Sequence, residues 1–99
     1  MSGRLTRLLG LGVRAGTVVV GVAGVRAGLQ RNQLACVVLA ADAGARTLDK
    51  VERLARARGV PVLRGPSATE LGAGLGREAV QAAGVADRAL AQGLLSVEE

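Results

Sequence analysis

Apolar residues recur along the chain with two different spacings, and these spacings divide it into helices and strands. In the first segment the apolar positions follow helical spacing, at Leu5, Leu8, Leu9 and Val13. Gly16 then provides a helix stop, and Thr17–Val20 is a short β-branched run that is typical of a strand. The pattern therefore predicts an N-terminal helix followed by a strand that ends at Gly21.

A second helix is predicted over Val22–Gln30, and it carries an unusual pair of interior glycines. Each of Gly24 and Gly28 costs about 1 kcal/mol relative to alanine in a helix, so we expect close packing or a local irregularity there. The apolar run Leu34–Ala41 that follows has the length and β-branched content of a strand buried on both faces.

The remaining elements are bounded by strong local signals. A third helix, Ala45–Arg58, ends at Gly59 before a proline, and a short strand covers Val62–Arg64. The motif Ser67-Ala68-Thr69-Glu70 is a capping box, which predicts a fourth helix that ends near Gly76. The last elements are a strand over Ala79–Val85 and a helix capped by Asp87.

The order of elements is a helix followed by four strand–helix units, which predicts an α/β fold with one sheet between helical layers. Ninety-nine residues without a linker or a low-complexity segment indicate a single domain over residues 1–99. We expect its core to cover about residues 4–95, and we expect a frayed tail from Ser96 to Glu99.

Charge is distributed unevenly along the chain. The first 41 residues contain five arginines and no acidic residue, whereas the rest contains eight basic and eight acidic residues. The excess of +5 therefore belongs to the N-terminal part and suggests a polyanionic partner. An arginine-rich genome would explain arginine in place of lysine, but it would not explain the missing acids.

Composition also excludes several kinds of site. With no histidine and one cysteine, Cys36, the chain cannot form a zinc site or a Cys–His nucleophile, and we expect no metal, no cofactor and no catalysis. With no Phe, Trp or Tyr it cannot stack unpaired bases on aromatic rings, which favours contacts with folded RNA. No apolar run is long enough to span a membrane, so we expect a cytoplasmic protein.

Several stretches, taken in order, resemble one family. They are Leu8-Leu9-Gly10-Leu11-Gly12-Val13-Arg14-Ala15-Gly16, Val20-Gly21, Leu39-Ala40-Ala41-Asp42-Ala43, Val60-Pro61-Val62 and Glu70-Leu71-Gly72 with Gly76 four residues later. The chain resembles the kink-turn RNA-binding ribosomal proteins of the large-subunit seven-Ae and thirty-e type, and especially their small bacterial YlxQ-like members. The resemblance implies a three-layer α/β/α sandwich around a four-stranded mixed sheet.

The resemblance also implies structured RNA, of kink-turn or ribosomal type, as the partner in translation. Its contact regions are the start of the second helix and the loop before the last strand, here Gly21–Ala27 and Gly76–Val80. We expect phosphate contacts mainly from Arg14, Gly21, Arg26 and Arg77. The full set of predicted RNA-binding residues is Arg14, Gly21, Val22, Ala23, Gly24, Arg26, Gly76, Arg77 and Glu78.

One departure from the family concerns the residues that read bases. Family members typically have Gly-x-Asn-Glu-x-Thr-Lys here, whereas this chain has Ala23, Gly24 and Ala27 at the Asn, Glu and Lys positions. It thus keeps groups that contact phosphates and lacks those that specify bases. These small residues leave a smooth apolar patch, so the alternative is a protein-interaction or scaffold module that has lost kink-turn recognition, with a protein partner or weak self-association.

Two further features have competing interpretations. Asp42 follows a buried strand, where a catalytic residue of an open sheet often lies, but an aspartate there more often caps a turn. The third helix carries a series of basic residues, which are Arg46, Lys50, Arg53, Arg56 and Arg58. Asp49 and Glu52 interrupt this series as partners for Arg53 and Arg56, which favours a solvated helix face over a second RNA-contacting surface.

Overall fold

Nine helices and strands make up residues 3–96, the part of the chain that the computed structural model describes. They occur in the predicted order. The elements are α1 (Gly3–Ala15), β1 (Val18–Val20), α2 (Val22–Gln30), β2 (Cys36–Leu39), α3 (Ala45–Ala57), β3 (Val62–Arg64), α4 (Ala68–Leu75), β4 (Ala82–Val85) and α5 (Arg88–Leu95).

The four strands form one mixed sheet in the order β1-β4-β2-β3. The strand β4 runs antiparallel to both of its neighbours, whereas β2 and β3 are parallel. The register pairs Val20 with Ala83, and it pairs Leu39 with both Ala82 and Arg64. The last residues of β1, β2 and β3 therefore lie at the same end of the sheet as the first residue of β4, and we call this the upper end.

Two hydrophobic clusters lie on opposite faces of this sheet. On one face, α1, α4 and α5 contribute fully buried leucines, namely Leu9, Leu71 and Leu94. On the other face, α2 and α3 contribute Leu29 and Val51. Adjacent residues of β2 point to opposite clusters, because side chains alternate along a strand. The predicted α/β/α sandwich with a four-stranded mixed sheet is confirmed.

Cys36 belongs to the core, as its place in the apolar run predicts. It is fully buried on β2, and burial raises the pKa of its thiol to about 11. The thiol therefore stays protonated at neutral pH, because the charged form would lose its hydration in this apolar layer.

β1 begins one residue later than predicted, and two other strands, β2 (predicted Leu34–Ala41) and β4 (predicted Ala79–Val85), are about half as long as predicted. Leu34 lies before the first residue of β2, and its side chain packs against Gly28 and Gly84. The segment before β4 packs along α4 instead of joining the sheet. The Val80 N–H donates to the Ala68 carbonyl at 2.9 Å, and the backbone of Ala79 lies against Gly72 of α4. Apolar content alone therefore overestimated the length of β2 and of β4.

The two interior glycines of α2 have different explanations. A Cβ atom on Gly28 would lie 2.9 Å from Cγ of Leu34, so this glycine allows the close packing that the sequence suggested. A Cβ atom on Gly24 would lie 3.5 Å from Cβ of Val19, which is an ordinary contact. A side chain at position 28 would therefore force Leu34 to shift, whereas position 24 has room for a Cβ atom.

The C-terminal end of the described chain is the cap of α5. The Ser96 hydroxyl donates to the Gln92 carbonyl at 2.8 Å, and the remainder of the predicted frayed tail lies outside the described residues. Across residues 3–96, every helix is too short or too polar to cross a membrane.

Candidate nucleic-acid interface

The helix α2 begins at Gly21, a position that only glycine adopts readily. Its φ of 105° and ψ of 155° lie in a region that L side chains rarely occupy. The Gly21 N–H donates to the Ala82 carbonyl at 2.8 Å, and the Gly21 carbonyl accepts from the Val25 N–H at 3.0 Å. This glycine therefore joins β1, β4 and the first turn of α2.

The first turn of α2 presents backbone N–H groups that no side chain satisfies. Val22, Ala23 and Gly24 precede the first N–H of the intrahelical ladder, and Gly21 has no side chain to cap them. This turn contains no acidic residue to neutralise the positive end of the helix dipole. The N-terminal end of α2 is therefore suited to an anion such as a phosphate.

Exposed arginines lie on both sides of this helix start in sequence. Arg26 lies three residues after the exposed Ala23, so the two share one face of α2. Arg14 is exposed in the last turn of α1. Both side chains are therefore available to a partner in solution.

The second predicted contact region, Gly76–Val80, lies in the α4–β4 loop, which we define as Gly76–Gln81. Gly76 ends α4 in the left-handed conformation, with φ of 74°. The Arg77 N–H donates to the Gly72 carbonyl at 2.7 Å, which folds the loop back onto α4. The side chains of Arg77 and Glu78 are exposed, so one cation and one acceptor are available at this position.

Contacts connect the predicted regions to one another. The α4–β4 loop leads directly to Ala82, whose carbonyl accepts from Gly21 at the start of α2. At the other end of the loop, Gly76 and Arg14 line the same shallow groove of about 280 Å³ between α1 and α4. The chain of contacts therefore runs from α1 through the loop to the start of α2.

Asp42 has a structural role that its sequence context only partly predicts. Its Oδ1 accepts from the Ala68 N–H at 2.8 Å, so it caps the first residue of α4. Ser67 and Glu70 complete the predicted capping box on the same turn. Asp42 is thus a cap, but it caps a helix that lies 26 residues ahead in the chain rather than the turn that follows it.

Replacing Asp42 with alanine is expected to lower the free energy of unfolding by about 1 kcal/mol, because one N–H of α4 loses its partner. Asp49→Ala is the control, since it removes an exposed carboxylate that pairs with Arg53 at 3.1 Å on α3 and should cost a few tenths of a kcal/mol. Urea denaturation followed by far-ultraviolet circular dichroism measures both. Equal losses in the two variants would contradict the capping role.

The basic series of α3 is partly neutralised. The predicted pair of Asp49 and Arg53 is present. The predicted pair of Glu52 and Arg56 is not formed, because Oε2 of Glu52 lies 3.9 Å from Nη1 of Arg64 on β3 instead. These acidic partners favour a solvated helix face for α3 over a second RNA-contacting surface.

Sequence reasoning did not identify Gly72 as a residue that positions the interface. A Cβ atom on Gly72 would lie 2.7 Å from the Ala79 nitrogen and 2.8 Å from the Arg77 carbonyl oxygen. The glycine therefore lets the α4–β4 loop lie directly on α4. Gly72 belongs to the Glu70-Leu71-Gly72 stretch of the family resemblance, and a glycine inside a helix indicates close packing without naming the partner. In residues 3–96, no three His, Cys, Asp or Glu side chains are grouped to hold a metal ion.

Comparison with known proteins identifies the family. The model of the ribosomal protein L7Ae/L30e/S12e/Gadd45 family matches residues 4–93. The chain belongs to this family. No curated protein matches the sequence.

Solved structures of other proteins are similar to this chain. A protein of unknown function from Bacillus halodurans has 28% sequence identity and a TM-score of 0.88, with 97% of this chain and 96% of that chain covered. The 15.5 kDa RNA-binding protein of Giardia lamblia has 21% identity and a TM-score of 0.72, with 92% and 78% covered. The second similarity shows a shared fold.

Proposed function

We propose that this chain binds folded RNA and catalyses no reaction, with the start of α2 and the α4–β4 loop as its contact surface. The observation that carries the proposal is the hydrogen bond from Gly21 to Ala82, which places the loop's end beside the uncapped first turn of α2. Family membership supports it, and so does the fold that the chain shares with an RNA-binding protein of Giardia lamblia.

The chemistry of this surface fits phosphates better than bases. Three free N–H groups of α2 and the exposed Arg14, Arg26 and Arg77 are donors, and all of them suit phosphate oxygens. The exposed side chain of Ala23 offers no donor or acceptor to a base. Binding by backbone charge and shape, with little base reading, is therefore the mode we propose, and folded stems fit it because the chain has no aromatic platform.

The cellular setting that we propose is the bacterial cytoplasm, in translation or at the ribosome, as a YlxQ-like family member. The end-to-end similarity to a Bacillus halodurans protein supports a bacterial member of this size. We also propose that residues 1–99 act as one RNA-binding domain, which the match of the family model over residues 4–93 supports.

Arg26→Glu is expected to weaken RNA binding roughly tenfold or more at low salt. It should also reduce the slope of log affinity against log salt by about 1, because one phosphate contact is lost. Thermal unfolding should be unchanged, because Arg26 is exposed and takes part in no ion pair among residues 3–96. Fluorescence anisotropy with a labelled kink-turn RNA and a labelled plain duplex, each at two salt concentrations, measures the effect.

Arg88→Glu is the matched control for this experiment. It makes the same charge change on an exposed residue in the first turn of α5. This turn follows the last residue of β4, whereas Gly21 bonds to the first residue of β4 at the upper end of the sheet. Tighter binding to the kink-turn RNA than to the duplex would show that backbone and shape suffice for family-type recognition. Equal losses in both variants would refute the site, and no binding by the native chain would refute RNA binding.

The second candidate is a protein-interaction module, which one observation favours. Val19 of the edge strand β1 is 39% exposed and packs beside Gly24, next to the exposed Ala23. These residues form an apolar patch where family members carry polar side chains. A chain that self-associates through this patch would show a concentration-dependent mass in light scattering, and Val19→Lys would abolish that dependence.

A further inference from the structure

Helix α1 carries three arginines on one face, which we call the α1 stripe: Arg4, Arg7 and Arg14. At about 100° per residue they lie within about 80° of one another around the helix, and over ten residues they span about 15 Å along its axis. All three are exposed. The stripe therefore presents a line of positive charge longer than a single phosphate contact.

Among residues 3–96, no acidic side chain pairs with an arginine of the α1 stripe. The helix contains no acidic residue, and the next acid in the chain is Asp42. The ion pairs formed among residues 3–96 involve α3 and β3, and none of them involves an arginine of α1. Cations held close together without counter-charges repel one another, which favours a polyanionic partner that relieves the repulsion.

The opposite face of α1 determines which polyanion fits. Leu5 and Leu9 are 5% and 0% exposed because they pack into the hydrophobic cluster between α1 and the sheet. A helix that lies in a membrane interface needs a free apolar face to insert, and α1 has already buried its own. Leu11, which is 55% exposed among the arginines, is a single apolar side chain. Phosphates of a nucleic acid are therefore favoured over an anionic lipid surface.

The stripe is continuous with the proposed RNA surface. Arg14 lines the groove that also contains Gly76, where the α4–β4 loop begins. An RNA that occupies the loop and extends along the groove would therefore reach Arg14, and then Arg7 and Arg4 farther along α1.

We propose that the RNA footprint continues along α1, where Arg4 and Arg7 bind a second stretch of backbone phosphates beyond the α2 and loop contacts. This inference rests on the proposed function and adds to it the size of the partner: a stem long enough to reach from the start of α2 to the N-terminal half of α1. An RNA that covers only the α2 start would not engage Arg4 and Arg7.

The test is the salt dependence of RNA binding in the double variant Arg4→Gln/Arg7→Gln. Each neutralised phosphate contributes about 0.7 to 0.9 to the slope of log affinity against log salt, so the slope should fall by about 1.4 to 1.8. If the variant and the native chain bind equally at 1 M salt, the variant should bind roughly 25-fold or more weakly than the native chain at 0.1 M salt. The variant Arg46→Gln/Lys50→Gln removes two exposed cations of α3 and should leave the slope unchanged.

The outcomes separate this inference from the proposed function. Native binding with an unchanged slope in the Arg4→Gln/Arg7→Gln variant overturns the α1 footprint and leaves the α2 site intact. Equal slope losses in the α1 and α3 variants also overturn it, because the effect would then follow net charge. Loss of binding to vesicles of anionic lipid, with RNA binding unchanged, would assign the stripe to a membrane. Failure of the native chain to bind RNA removes both proposals.

Discussion

Leu9→Ala is expected to lower the free energy of unfolding by about 3 kcal/mol, within the range of about 2–5 kcal/mol for buried leucines. Leu9 is fully buried in the cluster that α1, α4 and α5 form on the sheet. That cluster contains no aromatic residue, because the chain has none, so its largest side chains are leucines. The helices and strands packed around Leu9 cannot collapse fully into the space that the leucine leaves, and a cavity cost adds to the lost burial.

The matched control lies two residues away on the same helix. Leu11 is 55% exposed, and Leu11→Ala should change stability by no more than about 0.5 kcal/mol. Both changes remove the same atoms from the same helix, so the difference between them isolates burial from helix propensity. Because the chain lacks tryptophan and tyrosine, urea denaturation is followed by far-ultraviolet circular dichroism. Similar midpoints for the two variants would show that α1 is not packed as described.

The size of this loss matters for a domain of 99 residues. Domains of this kind are stable by only about 5–15 kcal/mol, so a loss of about 3 kcal/mol removes a large part of the margin. For a domain of this length we expect the midpoint of thermal unfolding to fall by roughly 10 °C or more.

Gly72→Ala is expected to destabilise the protein by about 1–3 kcal/mol and also to weaken RNA binding. The new Cβ atom would lie 2.7 Å from the Ala79 nitrogen and 2.8 Å from its Cα atom, and backbone atoms cannot rotate away as the end of a side chain can. The gain in helix propensity of about 1 kcal/mol offsets only part of this cost. The loop that carries Arg77 must therefore move away from α4.

Gly93→Ala is the control, because it also replaces a glycine within a helix. A Cβ atom on Gly93 would find its nearest neighbour, Cδ1 of Leu8, at 4.0 Å, so this change should be neutral or stabilising by up to about 1 kcal/mol. Urea denaturation and RNA anisotropy are measured on both variants. If Gly72→Ala were as stable as Gly93→Ala, the α4–β4 loop would not rest on α4, and Arg77 would not have a fixed place in the interface.

Much of the local structure is encoded in short stretches of sequence. The capping box at Ser67 and Glu70, the aspartate cap at Asp87 and the left-handed glycine at Gly76 are all present as predicted. Each depends on residues within one helical turn, where spacing and chemistry are sufficient to predict the contact. The order of the nine elements follows from the same kind of signal, because helical and strand periodicities are read within a single segment.

The candidate site was predicted less completely. The resemblance to a family implied the start of α2 and the loop before β4 as contact regions, and the glycines and arginines there supplied a physical reason for phosphate contacts. The sequence did not show that Gly21 is hydrogen-bonded to Ala82, which joins the two regions. Nor did it show that Gly72 is the glycine on which the loop lies.

The sequence by itself determined the helices and strands, their caps, the buried Cys36 and the basic character of the first 41 residues. Tertiary structure decided the strand order β1-β4-β2-β3, the capping of α4 by Asp42 and the contact of Arg14 with the groove at Gly76. The physical reason is range. Caps and periodicities are satisfied by residues a turn or less apart, whereas strand pairing and loop seating join segments that lie tens of residues apart and form only when both faces of the sheet are covered.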